Sequence, residues 1–490
     1  MKKRWSTLFY ILIVAGLGFA IYWIARQGSA LQSPVLNAQQ AQAAKNINAV
    51  NNFQIFSDSF NHNLTDPLAV LLLQIIVIIA FARLFGYLFK KIGQPAVIGE
   101  IVAGIILGPS IIGAYLPEIN NLLFPAASLV TLSFLSQIGL ILFMFIIGME
   151  LDLKAISKQA YGAVIISHAS IIIPFTLGMS LAYFIYRNYA PEGTSFLSFA
   201  LFMGIAMSIT AFPVLARILK EKGLTRSKLG AMALTCAAAD DLTAWCILAA
   251  VIALVKSGSS FSVVYTIGLA ITYVLVMLKL VRPYLEKLSH VYDNKEKKRT
   301  PIIALLFVVL IISSYITSVI GVHALFGAFV AGVIMPSSFS FRQIVIDKIE
   351  DVSIILLLPL FFVITGLRTQ IGLINEGHLW ITFGWIILVA VAGKFGGSAL
   401  AARIVGQSWK DSLSIGVLMN TRGLMQLIVL NIGYDLGILS PEIFAMMVLM
   451  ALVTTFMTGP ALDLINWLMP EKILTHKAGE TSATLTEEQT

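Results

Sequence analysis

Thirteen apolar segments follow one another between residues 66 and 468, and short charged loops separate them. A helix of about 20 apolar residues crosses a bilayer with its backbone polar groups satisfied internally. The chain is 58% hydrophobic and only 12% charged, whereas soluble domains carry about 25% charged residues. We therefore predict an all-α polytopic membrane protein with thirteen transmembrane helices. The predicted helices cover 66–88, 95–113, 126–149, 159–186, 195–219, 228–255, 260–280, 301–320, 322–336, 351–367, 379–402, 411–433 and 439–468.

Lysine and arginine are divided unequally between the two sets of alternate loops. One set carries 22 basic residues, and the other carries only Arg187, Lys256 and Arg368. Because basic loops remain in the cytoplasm, the first segment is predicted to start outside and the last to end inside. The net charge of +8 therefore reflects orientation in the membrane, and we expect no nucleic-acid partner.

The ends of the chain differ in composition from the apolar region. Lys2, Lys3 and Arg4 precede an apolar run, which fits either a signal peptide or an uncleaved signal anchor. The predicted domains are this leader (1–30), an extracytoplasmic linker rich in Asn, Gln and Ala (31–64), the transmembrane domain (65–468) and a short cytoplasmic tail (469–490). No glycine motif for a nucleotide occurs, so we expect no cofactor, no ATP-driven pumping and no enzyme activity.

Asp240 and Asp241 are adjacent in the sixth segment, where residues 229–254 carry no other formal charge. One ionised carboxylate at the centre of a membrane helix costs about 2.5–3.5 kcal/mol, and two neighbours also repel each other. Such a pair is expected where the carboxylates face water and exchange protons or cations. We predict that both aspartates bind the transported ion or proton.

Two segments are interrupted at matching places. Pro213 lies inside the fifth segment and disfavours helix at the preceding residue, while a polar stretch interrupts the twelfth. Each is the middle helix of a triplet, and the triplets are offset by seven spans, so they enter the membrane from opposite sides. Paired broken helices in inverted repeats indicate an ion site near the bilayer midplane. The predicted crossing contains Ser208, Thr210, Pro213, Asn420, Thr421 and Arg422.

Three other charges lie within the predicted spans. Lys394, flanked by glycines in the eleventh segment, needs a carboxylate partner, and Asp240 or Asp241 is the expected one. Arg422 is expected either to neutralise the carbonyl ends of broken helices or to pair with an acid, rather than to bind the ion. Glu100 lies near the cytoplasmic end of the second segment and is either an interfacial residue or an accessory to the site.

Five sequence strings together resemble the monovalent cation:proton antiporter-2 family. They are closest to its branch of plant cation/proton exchangers and bacterial relatives, and the resemblance covers about residues 66–468. It implies the sodium/proton antiporter fold, with inverted repeats, two crossed broken helices, separate dimerisation and core domains, elevator-like alternating access and a homodimer. The strings are GQPAVIGEIVAGIILGPS (93–110), SITAFPVLARIL (208–219), AAADDLTAW (237–245), GVHALFGAFVAGVIMP (321–336) and MNTRGLMQLIVLNIG (419–433).

The resemblance also implies roles for individual residues. Asp241 matches the aspartate that binds cation or proton, Asp240 matches its neighbour in the pair, and Lys394 matches the lysine that forms a salt bridge with the pair. Thr210 matches the unwound crossing. Related glutathione-gated potassium efflux systems carry a long cytosolic nucleotide-binding domain, for which the tail of this chain is too short, so we expect no gating of that kind.

These observations predict a secondary antiporter that exchanges Na+ or K+ for protons in a bacterial inner (plasma) membrane. The cation and the proton would compete for the di-aspartate site. Exchange would be electrogenic if Lys394 releases its pairing when a cation binds, and neutral if it stays charged. The alternatives are a cation channel or uniporter that uses the same acids, and a membrane sensor that does not transport.

Overall fold

All the regular structure that the computed structural model describes is helical, which confirms the predicted all-α class. The description covers residues 2–29, 52–150, 160–224, 227–256, 260–287, 299–336, 339–374 and 377–469. The chain divides into two compact units, Met1–Leu72 and Leu73–Thr490.

The first unit contains helices α1 (Lys2–Ser29) and α2 (Asn52–Leu64) and the start of α3 (Pro67–Lys91). Helix α1 covers most of the segment predicted to be a signal peptide or signal anchor, and both interpretations stay predictions. Residues 30–51 of the predicted leader and linker, and residues 470–490 of the predicted tail, lie outside the described residues.

Helix α2 falls inside the predicted linker, whose composition alone does not indicate a helix. Four apolar residues nevertheless recur there every three or four positions, which is the spacing of one helix face. They are Phe53, Phe56, Phe60 and Leu64, and the rings of Phe56 and Phe60 stack with centroids 6.0 Å apart. The Asn and Ser residues around them make the segment polar on average, so composition alone does not show the helical period.

The second unit contains the rest of α3 and the remaining helices. Short π-helical turns extend or join some of its helices. Met277–Val281 follows the helix that ends at Val276. Val352–Leu357 joins the helix that ends at Asp351 to the one that begins at Leu358, and Ala392–Gly396 joins the helix that ends at Val391 to the one that begins at Gly397. The helices are α4 (Ala96–Leu107), α5 (Ile112–Tyr115), α6 (Pro117–Leu123), α7 (Ala126–Glu150), α8 (Ala160–Tyr189), α9 (Phe196–Ser208), α10 (Phe212–Glu221), α11 (Lys228–Lys256), α12 (Ser260–Val276), α13 (Arg299–Ile320), α14 (Ala324–Val333), α15 (Phe339–Asp351), α16 (Leu358–Arg368), α17 (Gly377–Val391), α18 (Gly397–Ile404), α19 (Trp409–Met419), α20 (Leu424–Asp435) and α21 (Pro441–Leu468).

Within the described ranges, eleven helical stretches are long and apolar enough to cross a bilayer. The pair α19–α20, bent by 41°, makes twelve if it is counted as one span. All thirteen predicted segments contain helix, but the ninth appears as α14, whose ten residues rise only about 15 Å. This is about half of the hydrocarbon thickness of a bilayer, so the count of thirteen crossings stays a prediction.

The packing of the second unit separates two groups of helices. We call α4, α7, α13, α14 and α16 the scaffold bundle, because α16 packs on α4 and α7, and α14 packs on α7 and α13. We call α8–α11 together with α17–α21 the core bundle, in which α8 packs on α9, α11 and α18, and α21 packs on α19 and α20. The core bundle consists of the two triplets that the inverted symmetry of the sequence singled out.

Reciprocal glycines bring the scaffold helices into backbone contact. A Cβ atom on Gly148 of α7 would overlap the carbonyl oxygen of Phe329 in α14, and one on Gly332 of α14 would overlap that of Phe145. Helices in lipid associate largely through such close packing, because the lipid chains are as apolar as the side chains and the hydrophobic effect does not drive association. A second reciprocal pair, between α4 and α16, consists of Gly104 and Gly366.

We expect Gly332→Ala to destabilise the protein by about 1–3 kcal/mol, because the added methyl group overpacks the contact between α7 and α14. Gly384→Ala in α17 is the matched control, since a Cβ atom there meets open space. This control is expected to change the free energy of unfolding by about 1 kcal/mol or less. Unfolding by SDS in mixed micelles, followed by tryptophan fluorescence, measures both, and equal unfolding midpoints for the two variants would contradict the role of the glycine contact.

Candidate functional site

Two interrupted helices of the core bundle meet at their breaks. Helix α9 ends at Ser208 before α10 begins, and α19 ends at Met419 before α20 begins. The backbone amide of Ala211 donates a hydrogen bond to the carbonyl oxygen of Thr421 at 3.0 Å, which joins the two extended links directly. Non-helical backbone at membrane depth is tolerated only where the protein satisfies it, as happens here.

Arg422 satisfies carbonyl groups that the first break leaves free. Pro213 has no N–H group, so the carbonyl of Ile209 lacks the helical partner it would otherwise have. The Nη1 atom of Arg422 donates to this carbonyl at 3.1 Å and to that of Ala206 at 3.2 Å. The guanidinium of one broken helix therefore lies at the carbonyl end of the other, where the helix dipole is negative.

Lys394 is held by a second set of freed carbonyls. It is fully buried in the π-helical turn that joins α17 to α18, a type of distortion that is frequent at functional sites. Its Nζ atom donates to the carbonyl of Ser170 at 2.9 Å and also to the carbonyl of Ser208. The first carbonyl is available because Pro174 provides no N–H group four residues later, and the second because α9 ends there.

Asp240 is fully buried and surrounded by hydrogen-bond donors. Its Oδ1 atom accepts from the Ser167 hydroxyl at 2.6 Å, and its Oδ2 atom accepts from the Ser170 hydroxyl at 2.6 Å. Lys394 forms an ion pair with Oδ2 at 2.9 Å. The Thr210 hydroxyl lies 2.7 Å from Oδ2 and 3.1 Å from the carbonyl of Met419, and its single proton serves one of them at a time. Both oxygens of this carboxylate therefore accept hydrogen bonds.

Asp241 has different surroundings although it is the next residue. Its side chain is only 3% exposed, and its Oδ1 atom has no hydrogen-bond partner among the described residues. It borders a cavity of about 60 Å³ between the scaffold and core bundles, enough for a few water molecules. The contrast follows from helix geometry, because neighbouring side chains point about 100° apart. The cavity walls include Val97, Phe143, Phe362, Pro213 and Leu424.

The other predicted residues are distributed around this centre. The Ser208 hydroxyl donates to the carbonyl of Gly204 at 2.6 Å, so only the backbone of Ser208 contacts Lys394. Asn420 and Thr421 are buried in the second break, and Asn420 Oδ1 has no hydrogen-bond partner in the described part of the chain. Glu100 lies beside Gly86 of α3, a helix that does not contribute to the crossing.

Sequence reasoning missed Ser167, Ser170 and Pro174. The serines are three residues apart and so lie on one face of α8, and Pro174 follows the second serine by four residues. That spacing is a usable signal, because a proline frees the carbonyl four residues before it. The interaction partner of the serines lies 70 or more residues away in sequence and was therefore not recognised.

Comparison with known proteins places the chain in a family. The sequence profile described as "Sodium/hydrogen exchanger, transmembrane" matches residues 76–466. The Na(+)/H(+) antiporter NhaS4 of Synechocystis is 42% identical over 397 residues, covering 81% of this chain and 97% of that protein. Cation/H(+) antiporter 17 of Arabidopsis thaliana is 41% identical over 398 residues, and K(+)/H(+) antiporter 1 of Saccharomyces cerevisiae is 34% identical over 415.

These alignments cover 81% and 83% of this chain, but only 48% of the plant protein and 47% of the yeast protein, so the chain spans about half the length of those two relatives. The fold is similar to that of the sodium proton antiporter MjNhaP1 from Methanocaldococcus jannaschii. The TM-score is 0.59 at 15% identity, over 82% of this chain and 97% of that one. The resemblance in the five sequence strings is confirmed: the chain belongs to the transmembrane sodium/hydrogen exchanger family.

Proposed function

We propose that this protein exchanges Na+ or K+ for protons by alternating access, and that the cation and the proton compete for Asp241. The observation that carries the proposal is the contrast between two adjacent carboxylates. Both oxygens of Asp240 accept hydrogen bonds, whereas Asp241 borders a cavity and has one oxygen that lacks a partner in the described structure. A buried polar atom without a partner is costly, so a bound proton or cation stabilises this carboxylate.

Competition at one carboxylate is what couples the two fluxes. A protonated Asp241 is neutral and does not attract a cation, whereas an ionised Asp241 attracts one strongly in a site of low dielectric constant. Lys394 is not hydrogen-bonded to Asp241 in the described geometry, because its hydrogens are directed to Asp240, Ser170 and Ser208. The site therefore holds either a proton or a cation, which is the condition for exchange.

The names of the relatives support both candidate cations. The cyanobacterial relative is named as an Na(+)/H(+) antiporter and the yeast relative as a K(+)/H(+) antiporter. Carbonyl and carboxylate oxygens can coordinate either ion, and the choice between them depends on the geometry and field strength of the ligands. Both Na+ and K+ are therefore proposed as substrates.

The division into two bundles supports alternating access. Asp240, Asp241, Lys394 and Arg422 all belong to the core bundle, while the scaffold supplies apolar walls of the cavity. Movement of the core along the scaffold would expose Asp241 to one side of the membrane and then to the other. In this proposal residues 65–468 form the transport domain, with the leader (1–30), linker (31–64) and tail (469–490) outside it, and the protein acts as a homodimer.

Asp241→Asn is expected to reduce exchange to the background rate, because the amide can neither bind a proton reversibly nor balance the charge of a cation. The rate is measured in proteoliposomes with a pH-sensitive dye in the lumen, after addition of Na+ or K+. Asp463→Asn is the matched control, since this carboxylate forms an exposed ion pair with Lys222. Retained exchange in Asp241→Asn would overturn the site, provided that gel filtration shows folded protein for both variants.

The same vesicles test the exchange itself and its stoichiometry. The dye should respond to a cation gradient without any ionophore, because an exchanger moves the proton on the same carrier. Exchange that is insensitive to valinomycin in the presence of K+ indicates neutral exchange. Acceleration by valinomycin indicates electrogenic exchange and release of the Lys394 proton. A proton flux that appears only when a protonophore is added, in the absence of valinomycin, would instead identify a cation channel, because the protonophore then balances the charge that the channel carries.

Removal of Lys394 should be costly because it leaves Asp240 as a buried carboxylate without a counterion. We expect Lys394→Met to destabilise the protein by about 3–5 kcal/mol. Adding Asp240→Asn should recover at least about 1 kcal/mol of this loss, as expected for directly interacting residues. SDS unfolding in mixed micelles measures all the variants. The surface pair Lys222–Asp463 is the control, with an expected coupling of about 0.2–1 kcal/mol, and simple additivity at Lys394 and Asp240 would refute the pairing.

A further inference from the structure

The outer ends of the scaffold and core bundles are joined by a polar cluster around Arg368. This arginine ends α16 and is one of the three basic residues assigned to the extracytoplasmic side by the predicted topology. Its Nη1 atom lies 2.9 Å from Oδ1 of Asp435 and donates to Oδ1 of Asn431 at 2.8 Å. Its guanidinium carbon lies 5.6 Å from the centre of the Tyr434 ring. Thr365 of α16 adds a second contact, because its hydroxyl accepts a hydrogen bond from Nδ2 of Asn431 at 2.9 Å. Two scaffold side chains therefore hold the outer end of α20.

The Arg368 cluster borders a cavity of about 40 Å³, which we call the outer cavity. The volume is sufficient for a few water molecules, and the walls offer polar partners for them. The scaffold and the core each contribute to these walls. The polar residues that line the outer cavity are Ser133, Ser136, Gln137, His323, Arg368, Asn431 and Asp435.

The outer cavity and the cavity at Asp241 follow one another along the same three helices, α7, α16 and α20. On α20, Met425 borders the Asp241 cavity, whereas Ile428 and Asn431 border the outer cavity. The step from residue 425 to residue 428 is about 4.5 Å along a helix. On α16, Phe362 borders the first cavity and Phe361 the second. On these shared helices, about one helical turn or less thus separates the nearest lining residues of the two cavities.

We propose that the outer cavity is the extracytoplasmic entry site for the hydrated monovalent cation. Arg368 closes it by occupying the oxygens of Asp435 and Asn431 that an incoming cation would use. The inference rests on the exchange function proposed above. It adds the route by which the cation enters and the two side chains that select it, Asn431 and Asp435. When the core bundle moves, α20 carries Asn431 and Asp435 away from Arg368, and their oxygens become available to the cation.

The exposure of the ion pair suits a contact that forms and breaks in each cycle. The side chain of Arg368 is 24% exposed and that of Asp435 is 45% exposed, so water can solvate both charges after separation. A fully buried pair, such as Lys394–Asp240, would leave two desolvated charges if it separated. Separation of the charges at Arg368 therefore costs less free energy than separation of the buried Lys394–Asp240 pair at the crossing.

A labelling experiment tests the entry site without depending on transport. Cys236 and Cys246 are the two cysteines of the chain, and replacing both by alanine provides a background for single cysteines. Ser133→Cys places a thiol in the outer cavity. Glu192→Cys is the control, because Glu192 is exposed in the loop between α8 and α9, which the predicted topology assigns to the same side of the membrane. Membrane-impermeant methanethiosulfonates, one cationic and one anionic, are added to right-side-out vesicles, and the rate of labelling is followed by mass spectrometry.

We expect Arg368→Gln to accelerate cationic labelling at position 133 by at least about fivefold, the lower range of typical coupling between sites. Asp435→Asn should also open the cavity, but it removes the negative charge, so the ratio of cationic to anionic labelling rates should fall. Labelling at position 192 should change in neither variant. Unchanged labelling at position 133 in both variants, or an equal increase at position 192, would overturn the entry site.

The dye assay on the unsubstituted chain separates this inference from the proposed function. If that chain exchanges cations for protons and position 133 stays unreactive in both variants, the entry site is wrong and the exchange function stands. If it shows no exchange, the proposed function fails, and the entry-site assignment fails with it even where labelling is accelerated.

Discussion

The ion pair between Lys394 and Asp240 is the interaction on which the centre of the core bundle depends. Two charges buried at this depth carry a large desolvation cost, which is offset only if their hydrogen-bonding groups are satisfied. The ammonium group finds two additional acceptors in the carbonyls of Ser170 and Ser208. The first is free because Pro174 has no N–H group, and the second because α9 ends there. The irregular backbone and the lysine therefore stabilise each other, since the freed carbonyls supply acceptors to the lysine and the lysine supplies a donor to the carbonyls.

The two neighbouring aspartates show how one helix separates a structural role from a chemical one. Asp240 faces α8 and the lysine, where four donors surround it, and Asp241 faces the boundary between the bundles. Arg422 adds a positive charge that is committed to the carbonyl end of α9. In the proposed exchange, these fixed contacts leave a single carboxylate oxygen to react to the ion concentrations on either side.

Sequence reasoning located most of this centre, and its failures have physical causes. Membrane spans are long and strongly apolar, so their order and the two interruptions were readable. The role of Lys394 could be predicted because a charge in an apolar helix requires a partner. Which of the two aspartates pairs with it depends on how α11 is rotated about its axis, and the sequence pattern does not show that rotation. Ser167 and Ser170 are ordinary residues in a membrane helix until their distant partner is known. Helix α14 is shorter at both ends than the predicted segment 322–336, since an apolar run does not reveal where its first and last residues leave the helix.

The hydrogen bonds that hold the site have one further property: every donor and acceptor named around Asp240, Lys394 and Arg422 comes from the core bundle itself. The scaffold residues that line the cavity at Asp241 are apolar, so no directional bond has to be exchanged there. A translation of the core would thus leave its internal hydrogen bonds unchanged, and the polar contacts to be broken in each cycle would be those at the outer ends of the two bundles, around Arg368.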